Sequence, residues 1–174
     1  MKAHQQTVGK SDTWLTPREI TDKLGWFHLD PCAAPPPWND RAKVNLFAPT
    51  FDGLSCGWGS NSMKQAIGNG VQSVRVWCNP PFNRYERPKW MAKMAEHGNG
   101  IMLIPAATET EAFFKYVWSK ADAVCFLRGR PHFLNHLGQR AKANCGCSIA
   151  LVAYGQQNVD ALRAANLGHV LSLK

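Results

Sequence analysis

Short apolar runs alternating with amphipathic stretches set the plan of the chain. Ile101-Met102-Leu103-Ile104 is apolar throughout and stopped by Pro105, the pattern of a strand buried on both faces. Val74-Arg75-Val76-Trp77-Cys78, Ala123 to Leu127 and Ser148 to Tyr154 predict further strands. Trp26 to Asp30 and Val44 to Ala48 predict two short extended stretches, and Val170 to Leu173 a last edge strand. Between these, spacings of three and four predict helices. Trp90, Met91, Met94 and Ala95 share one face of a helix opened at Pro88 and closed by Gly98. Thr16-Pro17-Arg18-Glu19 combines an N-cap threonine, a proline at the first helical position and a capping-box glutamate, ahead of Ile20 and Leu24, with Gly25 placed to end the helix. Thr108-x-x-Glu111 is a second capping box, before Phe113, Tyr116 and Val117. Asn61 to Ile67 and Val159 to Ala165 predict the remaining helices. The Pro-rich segment Pro31 to Pro37 excludes both helix and central strand, and Gly53, Gly57 and Gly59 mark turns.

Strands alternating with helices predict an α/β fold, a mostly parallel sheet with helices on both faces. A length of 174 residues suits a single domain. Residues 1–11 are polar and are expected to be a flexible lead-in, with the domain spanning 12–174. No apolar run reaches membrane-spanning length and the first residues lack the apolar centre of a signal peptide, so a cytoplasmic protein is expected.

Charge narrows the partners. The chain carries 20 basic and 12 acidic residues, a net charge of +8, which favours a polyanion. The excess is uneven: Ala123 to Val159 holds no acidic residue, yet includes Arg128, Arg130, Arg140 and Lys142 beside His132 and His136. That stretch reads either as a solvated loop or as a nucleic-acid face. The six cysteines form no Cys-x-x-Cys pair and are expected to be free thiols. A competing reading takes His132, His136, Cys145 and Cys147 as zinc ligands of a non-catalytic nucleic-acid-binding module, although Cys-x-Cys is tighter than the usual knuckle.

Two predicted strands end in unusual chemistry, Asp30-Pro31-Cys32-Ala33 and Asn79-Pro80-Pro81-Phe82. Ligands of open α/β sheets bind outside the carboxyl ends of the strands. In the second motif, two prolines fix the backbone and remove two N–H donors, leaving outward carbonyls, while Asn79 adds a side-chain acceptor. Converging acceptors suit an exocyclic amine, and Phe82 offers a face on which a planar base can stack. Hydrogen bonds from the two amine protons localise a lone pair otherwise delocalised into the ring, so the nitrogen needs no strong base before it attacks. A rigid turn closing a strand is the plainer reading of Asn-Pro-Pro alone.

Trp14-x-Thr16-Pro17, Leu29-Asp30-Pro31-Cys32-Ala33, Asp52-Gly53-Leu54, Trp77-Cys78-Asn79-Pro80-Pro81-Phe82 and Gly129-Arg130-x-x-Phe133 follow one another in an order that resembles the phage-type, Dam-like DNA adenine-N6 methyltransferases. The resemblance covers residues 12 to 155 and rests on the combination. It implies a single-domain Rossmann-like methyltransferase fold, S-adenosylmethionine as methyl donor and adenine N6 in DNA as acceptor, with a phage or prophage origin and a place in restriction-modification. It implies catalytic roles for Asn79, Pro80, Pro81 and Phe82. It also implies that Trp14, Thr16 and Pro17 lie against the methionine part of the cofactor, that Asp30 faces its amino group above Pro31, Cys32 and Ala33, and that Asp52 faces its adenosine; a turn aspartate is the plainer reading of Asp30 and Asp52.

The chain departs from the wider class in three respects, the first being Phe82 at a position of the amine motif where tyrosine is more common. The Phe-x-Gly-x-Gly loop is replaced by Asp-Pro-Cys-Ala, and the interval from Asp30 to Asn79 is short, so one strand-helix unit is expected to be degenerate. Adenine N6 is reached only in a flipped or unpaired base. Arg84, Arg87, Lys89 and Lys93, just beyond the catalytic motif, and Arg128, Arg130, Arg140 and Lys142 are then the candidates for holding phosphates. The same amine motif also serves RNA bases and protein amides, which stand as alternative acceptors.

Overall fold

The computed structural model describes residues 14–174, so the lead-in expected over 1–11 lies outside the described residues. In chain order the elements are α1 (Arg18–Thr21, continued by a 3-10 turn over Asp22–Leu24), β1 (Phe27–Asp30), β2 (Ala42–Asn45), α2 (Asn61–Ile67), β3 (Val76–Cys78), α3 (Arg87–His97), β4 (Gly100–Pro105), α4 (Glu111–Phe113, running into a π-helical turn over Phe114–Trp118), β5 (Ala123–Leu127), β6 (Ile149–Tyr154), α5 (Gln156–Ala165) and β7 (Gly168–Ser172). The seven strands form one sheet in the order β2-β1-β3-β4-β6-β5-β7.

The expectation of a mostly parallel sheet holds for strand direction but only for half of the pairings. β2-β1-β3-β4 is parallel throughout, whereas β4-β6, β6-β5 and β5-β7 are antiparallel. A parallel pair needs a crossover over one face of the sheet, usually a helix. The segment from residue 128 to 148 contains no helix, and β6 returns antiparallel to the strand before it. Between β1 and β3 the chain makes one strand and one helix, as the short interval predicts.

Helices cover both faces. Along β4, Met102 and Ile104 belong to the core beneath α2, α3 and α4, with Met63, Ile67, Met91, Met94 and Phe113. Ile101 and Leu103 point the other way, into the core beneath α1 and α5, with Ile20, Leu24, Val159 and Leu162. The continuous apolar run of β4 is thus what a strand covered twice requires. Gly100 admits this packing because a Cβ there would lie 2.3 Å from the Val76 carbonyl.

Two predicted caps are corrected. Thr16 does not cap α1: Pro17 occupies the N-cap, its carbonyl accepting from the Ile20 and Thr21 amides, and Thr16 turns inward. Before α4 the cap is Thr110 rather than Thr108, its hydroxyl accepting from the Phe113 amide, while the Thr108 carbonyl takes the Trp118 indole. β2 runs from Ala42 to Asn45 rather than from Val44 to Ala48, and the Leu46 amide carries the pairing with β1 one step further by donating to the Asp30 carbonyl at 2.8 Å. Among the described residues no helix is long and apolar enough to cross a membrane.

Candidate active site at the switch point of the sheet

After β1 the chain moves outward to β2, then crosses back through α2 to β3 on the other side of β1. That reversal opens a crevice beyond the carboxyl ends of β1 and β3, where open α/β sheets take their ligands. Asp30 is the last residue of β1 and Asn79 follows the last residue of β3. The two strand ends flagged by their sequences therefore meet. A cleft of about 400 Å³ lies there, within the range of small-molecule and cofactor sites. Its walls include Trp14, Thr16, Asp30, Pro31, Cys32, Ala33, Asp52 and all four residues from Asn79 to Phe82. Of the residues expected at the cofactor, Pro17 alone is not a lining residue; it starts α1 behind Thr16.

Asp30 sits fully buried at the base of the cleft. Burial pushes its carboxyl up to about 7, against weaker opposing pulls from the Cys32 amide, which donates to Oδ1 at 3.0 Å, and from the Arg41 guanidinium. An acid so placed is half neutral near pH 7 and becomes fully charged when a cation joins it. The loop beneath it is tightly built: a Cβ at Gly53 would lie 1.9 Å from the Pro31 carbonyl. Asp52 is a turn aspartate as well as a rim residue, its Oδ1 accepting from the Leu54 amide at 2.9 Å.

Asn79 is held from one side only. Its Nδ2 donates to the Trp14 carbonyl at 3.0 Å, which aims the amide, and its Oδ1 is buried with no partner among the described residues. Thr16 Oγ1 is likewise buried and unpartnered in the same cleft. Unsatisfied buried oxygens are costly in a folded protein, and two in one cleft point to a ligand that supplies donors. Phe82 meets Phe133 edge to face at 5.8 Å. Arg87 Nη1 donates to the Phe82 carbonyl at 3.3 Å, so the end of the motif is braced from α3.

The acid-free segment between β5 and β6 supplies no lining residue but is joined to two residues that do line the cleft, Leu15 and Trp38. Leu134 exchanges backbone hydrogen bonds with Leu15 at 2.9 and 3.0 Å, and Trp38 Nε1 donates to the His136 carbonyl at 3.1 Å. Gly138 lies flat on the Trp38 ring, where a Cβ would come within 2.1 Å. Arg128, Arg130, Arg140 and Lys142 are exposed on this segment, and Arg84 is exposed beyond Phe82. Lys89 is exposed and paired with Glu86 at 2.9 Å. Arg87 is half-buried against Phe82, and Lys93 ties α3 to the turn after Asp52 by donating to the Leu54 carbonyl at 2.7 Å. Those two brace the site and are less available to phosphates.

The zinc arrangement does not assemble. Among the described residues no three His, Cys, Asp or Glu side chains gather as a metal set. Cys145 and Cys147 are close, with sulfurs 3.4 Å apart, but His132 Nδ1 engages the Ala141 carbonyl instead. Sequence reasoning missed Trp38, Arg41 and Phe51, which line the cleft, and the partnership of Phe133 with Phe82. Arg130-x-x-Phe133 was a usable signal for the last of these. The others rest on contacts between distant segments, such as Arg41 donating to the Thr16 carbonyl at 3.0 Å.

A family model for DNA N-6-adenine-methyltransferase (Dam) matches residues 4–167. No curated protein matches the chain.

Proposed function

The chain belongs to the DNA N-6-adenine-methyltransferase (Dam) family, and from that premise we propose that it transfers a methyl group from S-adenosylmethionine to the N6 amine of adenine in DNA, on a Rossmann-like sheet shortened by one strand-helix unit. The observation that carries the proposal is the unpartnered Asn79 Oδ1 at the end of β3, in the same cleft as Phe82 and the buried Asp30.

The residues present fit the cofactor. An acid at the cleft base suits its amino group, and Thr16 Oγ1 lacks a partner that a polar ligand would provide. Asp30, Thr16 and Trp14 would hold the methionine part above Pro31, Cys32 and Ala33, with Asp52 at the adenosine end. When bound, S-adenosylmethionine supplies a methyl group on a positively charged sulfur.

The protein's own work is done at the amine. Asn79 Oδ1 and the Pro80 carbonyl accept its two N–H groups and localise the nitrogen lone pair. Because Oδ1 is buried, the donor it receives is worth more than at a wet surface. Phe82 stacks on the base, held at its edge by Phe133 and through its carbonyl by Arg87. Placement near the methyl carbon then accounts for the rate, the nitrogen losing its proton after it has become positive. The base must stand outside the duplex stack, and the exposed Arg128, Arg130, Arg140 and Lys142 are the side chains we assign to the flanking phosphates.

The test is to incubate the protein with methyl-labelled cofactor and separate DNA, RNA and protein pools, then to identify the methylated nucleoside by mass spectrometry. N6-methyladenine in DNA is expected, abolished by Asn79→Ala with cofactor binding largely retained. Label in RNA or protein alone would replace the acceptor, and unchanged turnover of Asn79→Ala would overturn the mechanism.

A further inference from the structure

Tyr85 is the most exposed large apolar side chain among the described residues, at 69%. It belongs to neither core cluster and does not line the cleft. A single exposed aromatic is ordinary on a protein surface. The mounting of this one is not. Asn83 Oδ1 accepts from the backbone N–H of Tyr85 at 3.0 Å and of Glu86 at 2.9 Å, which fixes the turn. The Arg87 amide donates to the Asn83 carbonyl at 3.1 Å and carries the turn straight into α3. The Arg84 guanidinium lies 4.7 Å from the ring centroid and donates to the Tyr85 hydroxyl. A rigid short turn thus holds an aromatic ring in solvent three residues beyond Phe82, with a cation beside it.

Of the other strongly exposed aromatics, Trp14 and Phe51 line the cleft and Trp26 meets His28 edge to face at 4.8 Å, while Phe114 stands on the π-helical turn after α4, far along the chain from the Asn79–Phe82 motif. Among the described residues Tyr85 has no such partner apart from Arg84. A planar ring fixed beside a base-stacking site and flanked by basic side chains has the chemistry of a side chain that enters a base stack.

We infer that Tyr85 occupies the gap left in the duplex when the target adenine turns out toward Phe82, with Arg84 on the adjoining phosphate. The inference rests on the DNA reading above and adds a positioning residue to it. Extrusion of a base leaves an unstacked step, and a side chain that stacks there offsets part of that cost. The ring is then needed only where there is a duplex to open.

The experiment compares methyl transfer to unmethylated genomic DNA, native and heat-denatured, by the full chain and by Tyr85→Ala and Tyr85→Phe. Loss of one base–aromatic contact corresponds to about a ten- to hundredfold fall in kcat/KM. That fall is expected for Tyr85→Ala on native DNA, with a much smaller change on denatured DNA and recovery in Tyr85→Phe. Duplex carrying 2-aminopurine in place of adenine gives a second readout, its fluorescence rising on binding to the unmodified protein and far less with Tyr85→Ala. Equal effects of Tyr85→Ala on both DNAs, or none on either, would overturn the inference. So would an unmodified protein active on denatured DNA alone, which leaves the methyltransferase reading intact. Absence of transfer to both DNAs would overturn that reading itself, and this inference with it.

Discussion

Asp30→Asn separates the electrostatics of the cleft from its shape. Asparagine keeps the size of the neutral acid and its acceptor for the Cys32 amide, but cannot ionise. In the folded protein the Asp30 carboxyl is raised from 3.8 to about 7 by burial. The native state therefore binds this proton more tightly than the unfolded chain. Stability from the group is fully present below the unfolded value and is lost as pH rises through about 7. Between pH 5 and pH 9 the loss amounts to about 3 kcal/mol. For a chain of this size that is roughly 6–12 °C in Tm. The assay is thermal unfolding of the cofactor-free protein across that range, wild type against Asp30→Asn. The wild type should fall relative to the variant as pH rises, and added S-adenosylmethionine should rescue the wild type far more than the variant. Titration calorimetry should show wild-type affinity rising between pH 5 and about pH 7, since a cationic amino group needs the carboxylate and itself stays protonated over that range. Parallel stability curves for the two proteins would refute the burial argument. Equal cofactor affinities would remove Asp30 from the ligand.

Gly53→Ala places a methyl group against the Pro31 carbonyl, at a starting separation of 1.9 Å. It should destabilise the protein by about 1–3 kcal/mol and weaken cofactor binding, and an unchanged Tm with unchanged affinity would contradict the close approach. Cys145 should react with iodoacetamide near neutral pH ahead of Cys78 and Cys125. A hydrogen bond from the neighbouring Cys147 thiol, with its sulfur 3.4 Å away, lowers the Cys145 thiol from its ordinary value, whereas burial pushes the other two up. Peptide mapping of the alkylated protein checks the order, and Cys147→Ser should slow Cys145. If the acid-free segment carries phosphates, Arg130→Ala and Arg140→Ala should each reduce the slope of log K against log salt by about one for DNA of any sequence. Binding titrations at several salt concentrations measure this, and unchanged slopes would place the DNA elsewhere.

The parts of the site legible in the sequence are those whose chemistry is local. Asp30-Pro31 and Asn79-Pro80-Pro81 announce themselves because proline ends a central strand, and a polar residue at each end falls where open α/β sheets take their ligands. The core of β4 was equally plain, since four apolar residues before a proline suit one double-covered strand. Caps were harder. In Thr108-Glu109-Thr110-Glu111 two threonines compete, and the choice of Thr110 follows from a nonlocal demand, the Trp118 indole engaging the Thr108 carbonyl. Arg75 is a stronger case of the same kind. A lone charge inside a predicted strand says little, yet it is 4% exposed and satisfied by the Leu24 and Trp26 carbonyls and by Asn158 Oδ1.

What the sequence withheld was closure. The acid-free segment was visible as charge but could equally have been a solvated loop. Its position is decided by three contacts, none of which has a sequence signature: Leu134 with Leu15, the His136 carbonyl with the Trp38 indole, and Gly138 on the Trp38 ring. Trp38 and His136 are 98 residues apart, and the backbone atoms that join Leu15 to Leu134 carry no side-chain identity at all. These contacts join the segment expected against DNA to the segment expected against the cofactor. They also explain the glycine at position 138: its φ of +72° and its place flat on an indole exclude a side chain twice over. A basic loop tethered in this way is tied to two residues of the cleft wall, Leu15 and Trp38, and that tie is what separates a held segment from the free solvated loop its charge alone would equally allow.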